Sequence, residues 1–400
     1  MNILQVSVRA SEGGAAGVAL NINNRLNSGG EGFISKFMYG YSKGGRPSHL
    51  EESDSSLFSI SKRSFVIQSF LVNRLIGISL IPSFGEQLKS VRDLIDWADV
   101  IHLHVIHSFF IHEWQFLDLL IHSGKKVVWT MHDHWLVTGR CAFLDGCRAW
   151  KTGCGNCLSM DNYPPAKLDF SRVIRVKKMN YVQRLVKSGA MFVSPSKHLA
   201  KDFSDCYPEA NVVVINNGLE KEVELKINKY VNERTENGDR IRVLVIAHDL
   251  SYQGKTDPDV VRSVARLPNV DMVFVGKNNP FSDVCSEDHG YISNRDDLYS
   301  VIVSCDVMLF TSQVDNYPLV IGECLCLGTA VIATKSPAAR EILSSIGGGV
   351  YEPFMIPGAL SDGKVLEKAF GVKTAKELSE KALNIFSGEV MLEKYCELYV

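Results

Sequence analysis

Short apolar runs and helically spaced apolar residues alternate along the chain. The runs at Asn2–Val8, Gly32–Tyr39, Asp99–Val105, Lys126–His132, Ala190–Ser194 and Asn211–Ile215 read as strands. Between them, segments such as Val18–Leu26 and Phe110–Ser123 carry the helical period. That rhythm is the mark of βαβ units and parallel sheets. From Leu219 to Asp239 it lapses into Lys, Glu and Asn, which reads as a linker. It then resumes with strands at Arg242–Ala247, Asp271–Val275, Val307–Thr311 and Ala330–Thr334, and helices starting near Pro258, Arg295 and Pro318. A restart after a polar stretch predicts two α/β domains with doubly wound parallel sheets, residues 1–218 and 241–384, facing each other across the linker 219–240. Such sheets bind ligands at the carboxyl ends of their strands, so a cleft between the domains is the expected site. The tail 385–400 is helical in pattern, and Met391, Leu392, Tyr395, Leu398 and Tyr399 predict that it crosses back to the first domain.

Composition narrows the class. Of 400 residues 46% are hydrophobic and 22% charged, an ordinary globular balance. The greasiest stretch, Phe65 to Phe84, is broken by Gln68, Asn73 and Arg74, and falls short of the ~20 apolar residues of a membrane span. The first residues are too short and too alternating for a signal peptide, so a cytoplasmic protein is expected. The net charge of −2 divides into +6 through Gly218 and −8 beyond it. From Phe170 to Lys201 there is no acidic residue, while Arg172, Arg175, Lys177, Lys178, Arg184, Lys187, Lys197 and Lys201 accumulate. With Lys62, Arg63 and Arg74 they could dock the first domain peripherally on the anionic inner leaflet, at about 1 kcal/mol per basic residue. A solvated helix face is the other reading. Aromatic residues are not interleaved as single-strand binders need, which excludes nucleic acid as the partner.

Three stretches carry candidate chemistry. Gly13-Gly14, after the first strand and opening a helix, would let a ligand approach backbone amides at a helix N-terminus, but a plain βα turn also uses glycines. His132 and Asp133 end a central strand, where an imidazole can bond a sugar hydroxyl, act as acid or base, or serve structure alone. Asp315-Asn316-Tyr317-Pro318-Leu319, with Glu323 beyond, is the most informative. Pro318 fits a first helical position, leaving the amides of Leu319 and its neighbours for a phosphate and Glu323 for ribose hydroxyls. The same residues also read as a helix capped by Asp315 or Asn316 with Glu323 paired to a neighbour.

Two acids separated by seven residues, followed by Cys324 to Ala333, resemble the acidic-pair motif of retaining glycosyltransferase family 4. The likeness extends to Gly13-Gly14, His132-Asp133, Ser194-Pro195-Ser196, Asn217-Gly218 and Gly254-Lys255. The resemblance implies the GT-B architecture of two facing Rossmann-like domains with a C-terminal crossing helix. It implies that Glu323 holds the donor ribose, Asp315 contacts the transferred sugar, His132 assists at the reacting carbon and Lys255 neutralises the leaving diphosphate. The donor would be a UDP- or GDP-hexose and the acceptor a lipid-linked oligosaccharide of exopolysaccharide assembly. The sequence departs from the family twice: Asp315 stands where Glu is usual, and no Arg precedes Lys255 among Leu250 to Gln253. A sugar-nucleotide epimerase of the same fold and a non-catalytic scaffold are the rival readings.

The implied catalysis requires no metal or other cofactor. Asp257-Pro258-Asp259 mimics a metal-binding pair but reads better as a helix cap. Ten cysteines without a secretion signal argue for reduced thiols or a metal. Four of them, Cys141-x5-Cys147-x6-Cys154-x2-Cys157, either close a structural zinc site or pack a long loop as free thiols.

Overall fold

The computed structural model describes residues 1–10, 12–29, 32–42, 55–77, 80–158, 160–234, 238, 240–360 and 365–400. Ser11, at the edge of the first glycine turn, and part of the polar stretch after residue 234 lie outside them. The chain divides into two compact units, Met1–Asn216 with Met391–Val400, and Asn217–Val390.

The first unit is built on seven parallel strands: β1 (Asn2–Ser7), β2 (Ile34–Tyr39), β3 (Leu57–Ser59), β4 (Val100–Leu103), β5 (Lys126–Thr130), β6 (Met191–Ser194) and β7 (Asn211–Val214), in the order β3-β2-β1-β4-β5-β6-β7. The central strands are buried on both faces, as in a parallel sheet, and they carry Gln5, Ser7 and His102 into that interior. β1 pairs in register with both β2 and β4, and the strand order reverses between β1 and β4. The core gathers Leu4, Val6, Leu103, Trp129 and Phe192 with Trp114 and Leu117 of the helix Glu113–Ser123.

The second unit repeats the plan with six parallel strands: β8 (Ile241–Asp249), β9 (Val270–Lys277), β10 (Glu287–Asp288), β11 (Val307–Phe310), β12 (Ala330–Thr334) and β13 (Val350–Tyr351), ordered β10-β9-β8-β11-β12-β13. Here the reversal falls between β8 and β11. The helix Pro258–Ala265 starts at Asp257, whose carboxylate accepts from the amides of Asp259 and Val260, so the Asp-Pro-Asp stretch is a helix cap.

Three features differ from the sequence expectation. The stretch read as a linker contains the helix Lys221–Asn232, whose Val223, Ile227 and Tyr230 enter the second core. Three apolar anchors at helical spacing suffice to dock it, and the Lys and Glu between them cover the wet face. Pro318 is the cap of the helix Leu319–Cys326 rather than its first residue, because its ψ of 110° is still extended. The basic helix Ser171–Lys187 turns Arg175 and Lys178 inward, where they no longer count toward a basic surface.

Candidate active site

The predicted residues divide between the two units, and each group lies on the carboxyl side of its own sheet. In the second unit the loops after β8 and β11 flank the switch point where ligands of such sheets bind. Lys255 lies on the first loop and Asp315 on the second, and Lys255 Nζ donates directly to Asp315 Oδ1. The loops are tied together by backbone and hydroxyl. Gly254 O accepts from Gln313 N at 3.0 Å, and Thr311 Oγ1 accepts from Asp257 N at 2.9 Å. Both charged side chains stay partly exposed, so an incoming anion can compete for the ammonium.

Next along the chain, Asn316 is buried, and Tyr317 is half-buried against the core with burial pushing its phenol up. Pro318 then caps a helix without a side-chain bond of its own, and Leu319 is the first helical residue. The cap position thus falls to Pro318 and not to Asp315 or Asn316. Glu323, one turn in, is buried and does have a neighbour: Arg295 Nη1 donates to its Oε1 at 2.7 Å and Tyr299 OH at 3.5 Å. Arg295 also reaches Glu220 Oε1 at 2.7 Å. Burial pushes the Glu323 carboxyl up, and the Arg295 charge works against that shift. Both contacts fall on Oε1, which leaves Oε2 for a ligand hydroxyl. Sequence reasoning missed Arg295 as a site residue. It is 28 positions from Glu323 on another helix, and no local pattern joins them.

In the first unit the switch point lies between β1 and β4. Gly13 caps the helix Gly14–Ser28 with φ 93° and ψ 157°, a conformation that favours glycine, and the space where a Cβ would stand is open. His132 follows β5 and enters a buried polar chain: its Nε2 lies 2.9 Å from His104 Nδ1, and His104 Nε2 lies 2.9 Å from Gln5 Oε1. The amide oxygen can only accept, so His104 carries its proton on Nε2, and His132 must donate through its own Nε2. The Nδ1 of His132 is therefore the acceptor nitrogen. Burial lowers His132 to about 4 against the pull of Asp133, so at neutral pH it is an uncharged acceptor. Asp133 is itself clamped by His107 Nε2 at 2.9 Å and by Trp135 N at 2.8 Å. Beyond Gln5 the chain reaches the C-terminal helix Gly388–Tyr399. Tyr399 OH lies 2.7 Å from His102 Nδ1, and Tyr395 OH 2.9 Å from Thr130 Oγ1.

The four clustered cysteines sit on the loop after β5 and line one cavity of about 430 Å³. All are free thiols. Among the described residues no group of three or more His, Cys, Asp or Glu stands close enough to hold a metal ion in the present arrangement.

Comparison with known proteins bears on the family and the fold. Residues 61–223 match the model of Glycosyltransferase Family 4, and residues 286–363 that of Glycosyl transferases group 1. The chain is 36% identical to the colanic acid biosynthesis glycosyl transferase WcaC of Escherichia coli (strain K12), over 100% of this chain and 99% of that one. Among solved structures, Anabaena Alr3699/HepE in complex with UDP and glucose superposes with a TM-score of 0.62 at 13% identity, covering 100% of this chain and 99% of that one. A glycosyltransferase from Rickettsia africae gives a TM-score of 0.64 at 17% identity, covering 100% and 97%. With a full-length relative at this identity, both family models in chain order and two doubly wound sheets beneath them, the chain is a GT-B glycosyltransferase and belongs to glycosyltransferase family 4.

Proposed function

We propose that the chain transfers a hexose, with retention, from a nucleotide diphosphate sugar to a lipid-linked oligosaccharide in the assembly of a colanic-acid-like exopolysaccharide. The observation that carries this reading is the Lys255–Asp315 pair at the β8/β11 switch point, just ahead of a helix N-terminus and a buried Glu323.

A leaving diphosphate needs positive charge that is already in place. Lys255 supplies it when the phosphates displace Asp315, and the amides at Leu319 add the dipole of the helix. Asp315, released, is then an acceptor for hydroxyls of the transferred sugar. Glu323 Oε2 accepts from the ribose, while Arg295 on Oε1 opposes the upward push that burial gives the carboxyl. His132, neutral and with Nδ1 as acceptor, accepts a hydrogen bond from a sugar hydroxyl near the reacting carbon. The glycines at the β1 turn admit the acceptor close to the backbone. Retention follows if the acceptor attacks the face that the diphosphate leaves. The charges named here stabilise the leaving group without a metal. HepE, solved with UDP and glucose, supports a UDP-sugar donor, and the name of WcaC supports a role in exopolysaccharide assembly.

A lipid-linked acceptor finds support in the helix Arg63–Ile76, which is inside out. Its Ser69 and Asn73 are buried, while Ile67, Leu71 and Leu75, spaced by four on one stripe, are 49%, 61% and 51% exposed. Lys62, Arg63 and Arg74 border that stripe, as a peripheral contact with an anionic leaflet requires. No described helix is long and apolar enough to cross a membrane.

The test is donor turnover by Lys255→Ala and Glu323→Gln, with melting temperatures showing both to be folded. Loss of the leaving-group charge should lower kcat by about 10²–10³-fold, the scale seen when an oxyanion donor is removed. Glu323→Gln should mainly raise the KM for donor. Wild-type kinetics in both would end the assignment.

A further inference from the structure

Apart from the donor and sugar residues, the loop after β5 holds a feature that the proposed transfer does not use. Cys141, Cys147, Cys154 and Cys157 all line the same cavity of about 430 Å³, and none of the residues assigned above lines it. A pocket lined by four cysteines offers the soft sulfur donors that a thiophilic ligand needs.

The backbone around the thiols is shaped rather than slack. Asp145 and Gly146 hold left-handed φ of 44° and 74° just before Cys147. Gly153, Cys154, Gly155 and Asn156 hold 107°, 59°, 97° and 52° just before Cys157. Non-glycine residues in that region persist where the surroundings over-determine them, at a cost of roughly 1–3 kcal/mol each. The two turns are locked by Cys147 N to Leu144 O at 2.8 Å and Cys154 N to Ala149 O at 2.9 Å. Two of the sulfurs already accept from nitrogen donors. Gly139 N reaches Cys154 Sγ at 3.2 Å, and Arg140 Nη2 lies 3.7 Å from Cys157 Sγ. Arg140 is buried and is anchored by Nη1 to the carbonyl of Asn162 at 2.7 Å. Donors fixed on sulfur in this way are the outer contacts that thiolate ligands of a metal receive.

We propose that these four cysteines bind one zinc ion in a closed, structural tetrahedral site. Four thiolates in two turns, one of them a Cys-x2-Cys, are the donor set that selects zinc, and four protein ligands leave no open position for catalysis. The thiols stand too far apart in the present arrangement for three to share an ion. Binding must draw them inward to the ~2.3 Å zinc–sulfur distance. It releases the thiol protons to solvent, with no change of oxidation state. The ion then fastens a loop whose start carries the His132-Asp133 strand end.

Zinc, iron and acid-labile sulfide are to be measured in the full chain purified without chelator, followed by Co²⁺ titration of the metal-free protein. The expected result is about one equivalent of zinc and, with Co²⁺, the intense visible bands of tetrahedral thiolate coordination. A Cys154→Ser/Cys157→Ser variant should lose the metal, while Cys285→Ser, in the other unit, should keep it. Should the double variant fail to fold, the Co²⁺ spectrum of the unaltered chain decides. Zinc below about a tenth of an equivalent together with no thiolate spectrum overturns the proposal, since a site of this class binds far too tightly to be lost in purification. Iron and sulfide in place of zinc also overturn it.

Discussion

At the scale of single residues, the first unit makes acid sensitivity out of buried imidazoles. Burial lowers His102 to about 3, with the charge of His132 acting in the same direction, and it lowers His132 to about 4. An ordinary histidine titrates near ~6.5. Between that value and about 4 the unfolded chain binds protons on His132 that the folded chain refuses, so stability rises with pH across this window and falls as pH drops through it. At ~1.4 kcal/mol per pKa unit, His132 contributes at most roughly 3.5 kcal/mol of that dependence, and its partly open edge makes this an upper figure. Urea midpoints of the full chain should therefore decline from pH 7 to pH 4.5, and His132→Asn should flatten the decline. Parallel slopes for the two proteins would show that His132 is not held neutral by the fold.

At the scale of elements, the sequence was legible where burial writes a simple pattern. Central parallel strands such as β4 and β12 are buried at every position and appear as apolar runs interrupted only by His102 and Thr334. The edge strands β3, β10 and β13 have two or three residues and no such run, and β10 is Glu287–Asp288, whose Glu287 pairs with Arg242 instead of packing. The helix Lys221–Asn232 hid behind its charges. Lys178 looked like surface charge, yet its Nζ donates to the carbonyls of Thr138 and Gly139 at 3.1 Å each and sits 3.8 Å from the Trp135 ring centroid. Such partners lie some 40 residues away, and only the fold brings them together. The helix Arg63–Ile76 is the opposite case, because apolar residues of its greasy stretch, Ile67, Phe70, Leu71 and Leu75, are exposed. Replacing Ile67, Leu71 and Leu75 by Ser should leave the melting temperature nearly unchanged, since surface substitutions typically stay within about 0.5 kcal/mol. The same variant should bind vesicles containing anionic phosphatidylglycerol at least about tenfold more weakly, because each aliphatic side chain buried in the bilayer is worth roughly 1.5–3 kcal/mol. Equal co-sedimentation of the two proteins would remove this helix from any role at a membrane.

At the scale of the whole molecule, the two units differ in how the chain closes them. The second, Asn217–Val390, is continuous and contains its sheet, its core and the Lys255, Asp315 and Glu323 group. The first takes its last piece from the far end of the chain, where Met391, Leu392, Tyr395 and Tyr399 are buried. Burying side chains of this size contributes roughly 1.5–3 kcal/mol each, an upper estimate for a real unfolded chain. Four of them approach the ~5–15 kcal/mol that holds a typical domain together. The hydroxyls of Tyr395 and Tyr399 also bond Thr130 and His102, so their loss strands buried polar atoms. A fragment spanning 217–390 should accordingly melt cooperatively by itself and gain thermal stability from UDP. A fragment spanning 1–216 should lack a cooperative transition until a peptide of residues 391–400 is added. If 1–216 melts as sharply without the peptide as with it, the C-terminal helix is an accessory to that unit and the His102–Tyr399 contact carries none of its stability. If 217–390 folds but ignores every nucleoside diphosphate, the donor assignment fails while the domain division stands.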